Sequence, residues 1–157
     1  MGLMLLIAVP VLAKPAKTIY CPQGAEAPAC IGTDKPETIY GWRGVDDIGA
    51  RGGDDYVYAG QGRIDAVRGG NGNDRLWGQQ GDDNLLGQDG NDRLYGGPLH
   101  DKILTGGGHD MVKAGEGNDE INVLGGGKDY VGCGAGDDLA EVDSSDKVND
   151  CERVHHK

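Results

Sequence analysis

The sequence predicts an all-β fold: a solenoid of parallel strands wound in about six coils of eighteen residues, its two ends closed by disulfides. Three observations carry this expectation. A nine-residue unit repeats without a break through the centre of the chain, each unit sets Gly and Asp at fixed places ahead of one apolar residue, and four cysteines fall in pairs on either side of the repeats. A strict period of nine is incompatible with one face of a helix and points to a repeat architecture.

The central units run from Gly69 to Tyr95 and read GGNGNDRLW, GQQGDDNLL and GQDGNDRLY. Each has Gly at positions 1 and 4, Asp at position 6 and Leu at position 8 (Leu76, Leu85, Leu94). The frame continues outward with two single-residue insertions. On the N-terminal side lie units 59–68, 50–58, 41–49 and 32–40; on the C-terminal side lie 96–104, 105–113, 114–122, 123–132 and 133–141, then a truncated unit with Asp146 and Val148. The repeats therefore fill 32–150.

Each unit reads as a six-residue loop followed by a three-residue strand centred on position 8. Gly at positions 1 and 4 is expected to let the loop take positive φ and converge its carbonyls. Two units make a coil, with a thin core of Ile39, Ile48, Val57, Val67, Leu76, Leu85, Leu94, Ile103, Val112, Ile121, Val131 and Ala140 between two sheets. Stacking also forms two columns of position-6 acids. One holds Asp46, Asp65, Asp83, Asp101, Asp119 and Asp138; the other holds Glu37, Asp55, Asp74, Asp92, Asp110 and Asp129. Neighbouring carboxylates one strand spacing apart, about 4.8 Å, repel by roughly 1 kcal/mol in water and by more when desolvated. A cation between them reverses the sign.

This pattern, G-G-x-G-x-D-x-U-x, resembles the RTX (hemolysin-type) calcium-binding nonapeptide repeat family. The resemblance implies a right-handed parallel β-roll with Ca2+ held between successive coils. Each ion would take Asp oxygens from two coils, drawn from Asp46, Asp55, Asp65, Asp74, Asp83, Asp92, Asp101, Asp110, Asp119, Asp129 and Asp138. Loop carbonyls complete the sphere, with Gly69, Asn71, Gly72, Gly78, Gly81, Gly87, Asp89 and Gly90 as the supporting backbone. All-oxygen ligation by flexible loops selects Ca2+ over Mg2+, and a site that exists only when two coils are in register makes binding part of folding. Leu99, in place of Gly in GGPLHD, marks the loop expected to depart most. In larger family members such repeats serve as the calcium-triggered folding and secretion module of proteases, lipases or toxins. Here residues 14–31 alone precede them, so the chain reads as the module by itself.

Outside the repeats, residues 1–13 (MGLMLLIAVPVLA) read as a secretory signal peptide. The basic n-region is missing, so the true start lies upstream or the signal is atypical. Residues 14–31 read as an N-terminal cap and 133–157 as a C-terminal cap overlapping the last repeat. An even cysteine count in an exported chain favours disulfides, Cys21 with Cys30 and Cys133 with Cys151 being the first choice among three pairings. The ending AEVDSSDKVNDCERV is similar to that of small secreted repeat proteins of bacteria.

A net charge of −11 speaks for cations as partners and against nucleic acid or stable membrane insertion. No triad, phosphate loop or Cys/His arrangement is present to suggest an enzyme. His100 and His109 fall at the variable position 5, where solvent exposure is expected, and His155 and His156 in a tail expected to fray. Tyr40, Tyr58, Trp77 and Tyr95 recur at position 9 of alternate units and should form one outward ladder, either as lateral support for the sheet or as an adhesive surface for a glycan or protein. The expected product is a secreted, extracellular or cell-surface calcium-binding protein.

Overall fold

The structure, a computed structural model, describes residues 17–23 and 29–157. The signal peptide expected at 1–13 and part of the N-terminal cap lie outside them. Among the described residues there are sixteen strands and no helix. In chain order they are β1 (Lys17–Tyr20), β2 (Cys30–Ile31), β3 (Glu37–Tyr40), β4 (Asp47–Gly52), β5 (Tyr56–Gly60), β6 (Ala66–Asn71), β7 (Arg75–Gln79) and β8 (Asn84–Asp89). Then follow β9 (Arg93–Pro98), β10 (Lys102–Gly107), β11 (Met111–Glu116), β12 (Glu120–Asn122), β13 (Tyr130–Ala135), β14 (Leu139–Val142), β15 (Lys147–Asn149) and β16 (Arg153–His156).

Odd-numbered strands form one eight-stranded sheet and even-numbered strands the other, every neighbour being parallel and two strands apart in sequence. The chain is thus a parallel β-solenoid of eight coils, where the repeat count predicts about six. The extra turns are made by segments outside the twelve full units, one of them beginning with the truncated unit of Asp146 and Val148. β1 and β2 wind the stretch read as a cap into a first coil, Ile19 in register with Ile39 and Cys30 with Ile48. β15 and β16 add a last coil, with Val148 beside Val131 and Val154 beside Ala140. His155 and His156 therefore belong to a paired strand rather than to a frayed tail.

The position-8 column is buried throughout, from Ile39 to Ala140. A second inward column accompanies it. Ala50, Ala59, Thr105, Ala114, Val123, Cys133 and Val142, all at position 1, are buried as well. The reason is strand length: most strands continue for two or three residues past the x-U-x segment, as in Lys102–Gly107. Side chains alternate along an extended backbone, so positions 6, 8 and 1 all point inward while 7 and 9 point out.

That alternation changes the role of the glycines. Position 1 does not take positive φ; positions 2 and 4 do, as at Gly70 (115°) and Gly72 (132°). At position 1 glycine is required for room. A Cβ on Gly78 would stand 2.5 Å from Asp83 Oδ2 and 2.8 Å from the Gly96 carbonyl oxygen, and one on Gly87 2.5 Å from Asp92 Oδ2 and 2.6 Å from the Thr105 carbonyl oxygen.

Both disulfides form as the cysteine spacing suggests, Cys21 to Cys30 and Cys133 to Cys151. The first spans nine residues and ties the two sides of the opening coil; the second spans eighteen and ties one coil to the next.

Candidate metal centre

Because position 6 faces inward, the loop acids are inside the molecule. Asp55, Asp65, Asp74, Asp83, Asp92, Asp101, Asp110, Asp119, Asp129 and Asp138 are each at most 2% exposed. One oxygen of each is used the same way. The backbone N–H of the position-6 residue in one coil donates to Oδ1 of the Asp in the next, as Asp74 N to Asp92 Oδ1 and Asp83 N to Asp101 Oδ1, both at 2.8 Å. The other oxygen has nothing. Oδ2 of all ten is buried without a hydrogen-bond partner, and so is Thr105 Oγ1, which shares the inner column at position 1 of the Asp110 unit.

A buried carboxylate oxygen left unsatisfied is costly, and what surrounds these oxygens raises the cost. At Gly78 and Gly87, Asp Oδ2 of one coil and the position-1 carbonyl oxygen of the next lie on either side of the same small space. Acceptor faces acceptor with no donor between them. Burial accordingly pushes Asp55, Asp92 and Asp101 up to about 7 and Asp65, Asp74 and Asp129 up to about 6; a backbone N–H opposes the rise at each, and neighbouring acids add to it. Asp83, Asp110 and Asp119 are raised by burial too.

Hard oxygen donors converging without a proton donor suit a hard cation, so the residues present fit calcium. Asp Oδ2 would supply charge to such an ion, and the carbonyl groups of adjacent loops the remaining oxygens. Among the described residues no three His, Cys, Asp or Glu side chains gather at one point, so the donor set here is carbonyl-rich and unlike a zinc cage.

Ten of the eleven aspartates singled out from sequence share this geometry, and Asp46 does not. It is half-buried, and its Oδ2 accepts the Trp42 N–H at 3.0 Å. Glu37 is buried but saturated, taking Thr33 N–H and Thr33 Oγ1–H, both at 2.7 Å. Of the supporting backbone, Gly69, Gly78 and Gly87 lie against Asp Oδ2 of their own units, while Gly72, Gly81 and Gly90 take positive φ. The Asn71 and Asp89 carbonyls already accept Gly53 N–H and Gly72 N–H, which occupies one of two lone pairs on each. The GGPLHD loop keeps the common geometry despite Leu99, which takes φ 80°.

Two features escaped sequence reasoning. Glu152 extends an acid column, its Oε2 accepting Asp138 N–H at 3.0 Å; the spacing Glu152-x-Val154 is the same acid-x-apolar signature as Asp83-x-Leu85. The exposed position-5 side chains form outer ladders running the opposite way. Asn73 Oδ1 accepts Asn91 N–H, Asn91 Oδ1 accepts His109 N–H, and His109 Nδ1 accepts Lys128 N–H. On the other side His100 Nδ1 accepts Asn118 N–H. The two histidines are exposed, as expected, and also knit coils together.

The aromatic ladder is present and one ring longer than expected. Tyr20, Tyr40, Tyr58, Trp77 and Tyr95 stack in succession with centroids 5.5, 5.1, 4.6 and 5.2 Å apart. Planes within 18° of parallel mean that each ring covers its neighbour's face and turns an edge outward. A sugar seeking a ring face finds none free along the column's interior.

The RTX calcium-binding nonapeptide repeat model, comprising four copies of the unit, matches residues 31–63, 59–94, 68–103, 95–127 and 104–140. The chain belongs to this calcium-binding repeat family. No curated protein matches it.

Proposed function

We propose that this chain is a secreted calcium-binding protein whose coils assemble as the ions bind, acting at the cell exterior as a structural or ion-holding module rather than as a catalyst. One observation carries the reading: ten inward carboxylates with an oxygen that the polypeptide leaves unpaired. Without a cation those oxygens oppose the fold; with one bound, the same oxygens hold adjacent coils together. Extracellular calcium modules bind at roughly 10⁻⁴–10⁻³ M, so such a chain folds outside a cell and stays open within it. The two disulfides support an oxidising destination.

The test is far-UV circular dichroism of the 14–157 chain titrated with Ca2+ and, separately, Mg2+. Sheet signal should appear cooperatively at millimolar Ca2+ and not with equal Mg2+. An unchanged sheet spectrum in excess chelator sinks the proposal.

A further inference from the structure

The protein carries a net charge of −11, yet the outward positions 7 and 9 of the odd-numbered sheet hold no acid among the described residues; the exposed Glu116 lies at the far end of β11. From Thr18 and Tyr20 on β1 to Lys147 and Asn149 on β15, those positions carry four bases, Arg75, Arg93, Lys113 and Lys147. The opposite face differs. There Arg68 pairs with Asp47, Lys102 with Glu120 and Lys157 with Glu141. The bases at positions 7 and 9 of that sheet, Arg68 and Lys102, are neutralised within the fold, whereas Arg75, Arg93, Lys113 and Lys147 at the same positions of the odd-numbered sheet have no acidic partner among the described residues.

The centre of this odd-numbered face is two arginines in register. Arg75 and Arg93 are direct partners on adjacent parallel strands, one strand spacing apart, about 4.8 Å. Arg75 donates to the Tyr56 hydroxyl and lies over that ring, 4.7 Å from its centroid; Arg93 has no ion-pair partner among the described residues. Like charges in register weaken a sheet unless an anion lies across them, and guanidinium groups grip carboxylates and sulfates through two parallel N–H bonds.

We propose that this face binds a linear acidic polysaccharide laid along the solenoid axis. The bases recur along one flat sheet in steps of one or two strand spacings, and a hexose bearing one carboxylate or sulfate is about as long as one such step. The stacked aromatic column beside them offers ring edges and hydroxyls, which suit hydroxyl-rich chains. Nucleobases require free ring faces to stack on, and here those faces are covered by one another. The inference is independent of which ions occupy the loops; it requires only the folded solenoid.

The experiment uses the full chain in millimolar Ca2+, its fold confirmed by circular dichroism, with sulfated dextran oligomers and oligogalacturonate as probes in calorimetry. Both acidic probes should bind, and neutral dextran of equal length should not. Arg75→Gln with Arg93→Gln should weaken binding at least tenfold, Lys113→Gln should weaken it severalfold, and the control pair Arg68→Gln with Lys102→Gln should leave it within twofold. Absence of binding, equal binding of neutral dextran, or equal loss in the control pair overturns the proposal. So does tighter capture of a single-stranded oligonucleotide or of phosphatidylserine vesicles. Failure of calcium-induced folding appears separately in the circular dichroism.

Discussion

The middle and the ends of this solenoid treat the same chemical problem in opposite ways. In the central coils ten aspartates point inward with one oxygen bonded to the neighbouring coil and the other unpaired. Toward the ends the acids gain bonds from their own loops: Glu37 from Thr33, Asp46 from the Trp42 N–H, and Asp146 from the Asp143 N–H in addition to the Asp129 N–H of the preceding coil. The ends also carry both disulfides. A coil with motif coils on both sides could share a cation across either gap, whereas Glu37 and Asp46 face the opening coil of β1 and β2, which brings no motif acid to the gap. The motif is thus a device for stacking, and the outermost coils, β1 with β2 and β15 with β16, lack its full Gly and Asp pattern.

Removing calcium should expose this contrast most strongly. In excess chelator, hydrogen exchange at the amides of Asp74, Asp83 and Asp92 should accelerate by two orders of magnitude or more, while amides beside Cys21 and Cys151 should change least. A uniform loss of protection along the chain would erase the distinction between middle and ends.

The pH dependence has a definite sign. Burial lifts Asp55, Asp92 and Asp101 to about 7, above the usual 3.8 for an aspartate, so the folded metal-free chain holds these protons more tightly than the unfolded one. Their contribution to stability is complete below pH 4 and is lost as pH rises through 6 to 7. The metal-free protein should therefore gain sheet on acidification from pH 8 to 5. With calcium present the order reverses, because the ion displaces the same protons: affinity should fall as pH drops below 7, and calorimetry in buffers of different ionisation enthalpy should show proton release on binding. Metal-free sheet content that rises with pH would contradict the placement of these acids.

Single substitutions sharpen the contrast further. Asp83→Ala removes both a proposed ion ligand and the acceptor for Asp65 N–H, and leaving that buried donor unpaired costs about 1–3 kcal/mol. Asp46→Ala affects a half-buried group at the edge of the stack and should stay within about 0.5 kcal/mol. Urea denaturation in millimolar Ca2+ measures both; equal losses would mean that the end coils depend on the ion as much as the middle does.

Much of this was legible in the sequence because the period does the work. The position-8 core and the two acid columns follow from counting in nines, and the cysteine pairs from an even count in an exported chain with local pairing preferred. The inward direction of the acids did not, since it depends on strands running on into the loop, as at Ala66–Asn71, and a Gly-rich stretch such as GGNG gives no apolar alternation to show it. For the same reason Gly at position 1 looked like a conformational glycine, when its purpose is to leave room beside Asp Oδ2. β1, β2 and β16 were missed because they satisfy the frame with other residues, whereas β15 belongs to the truncated unit of Asp146 and Val148. Cys30 stands in an apolar slot beside Ile48, and Glu152 stands in an aspartate slot.

Leu99 tests how far the loop geometry can override residue preference. It holds φ at 80° where the other units from 41 to 141 place glycine, a conformation that costs an L-residue about 1–2 kcal/mol. Nothing inside the fold repays that cost, because the Leu99 side chain is 55% exposed. Yet Asp101, two residues on, is as buried and as incompletely bonded as its neighbours, so the stack imposes the turn on leucine. Leu99→Gly should relieve the strain while giving back some chain entropy in the unfolded state, for a net gain of about 0.5–1 kcal/mol. Urea denaturation in calcium would measure it as a higher midpoint at unchanged slope. A loss of stability instead would show that Leu99 is held by contacts outside its own loop.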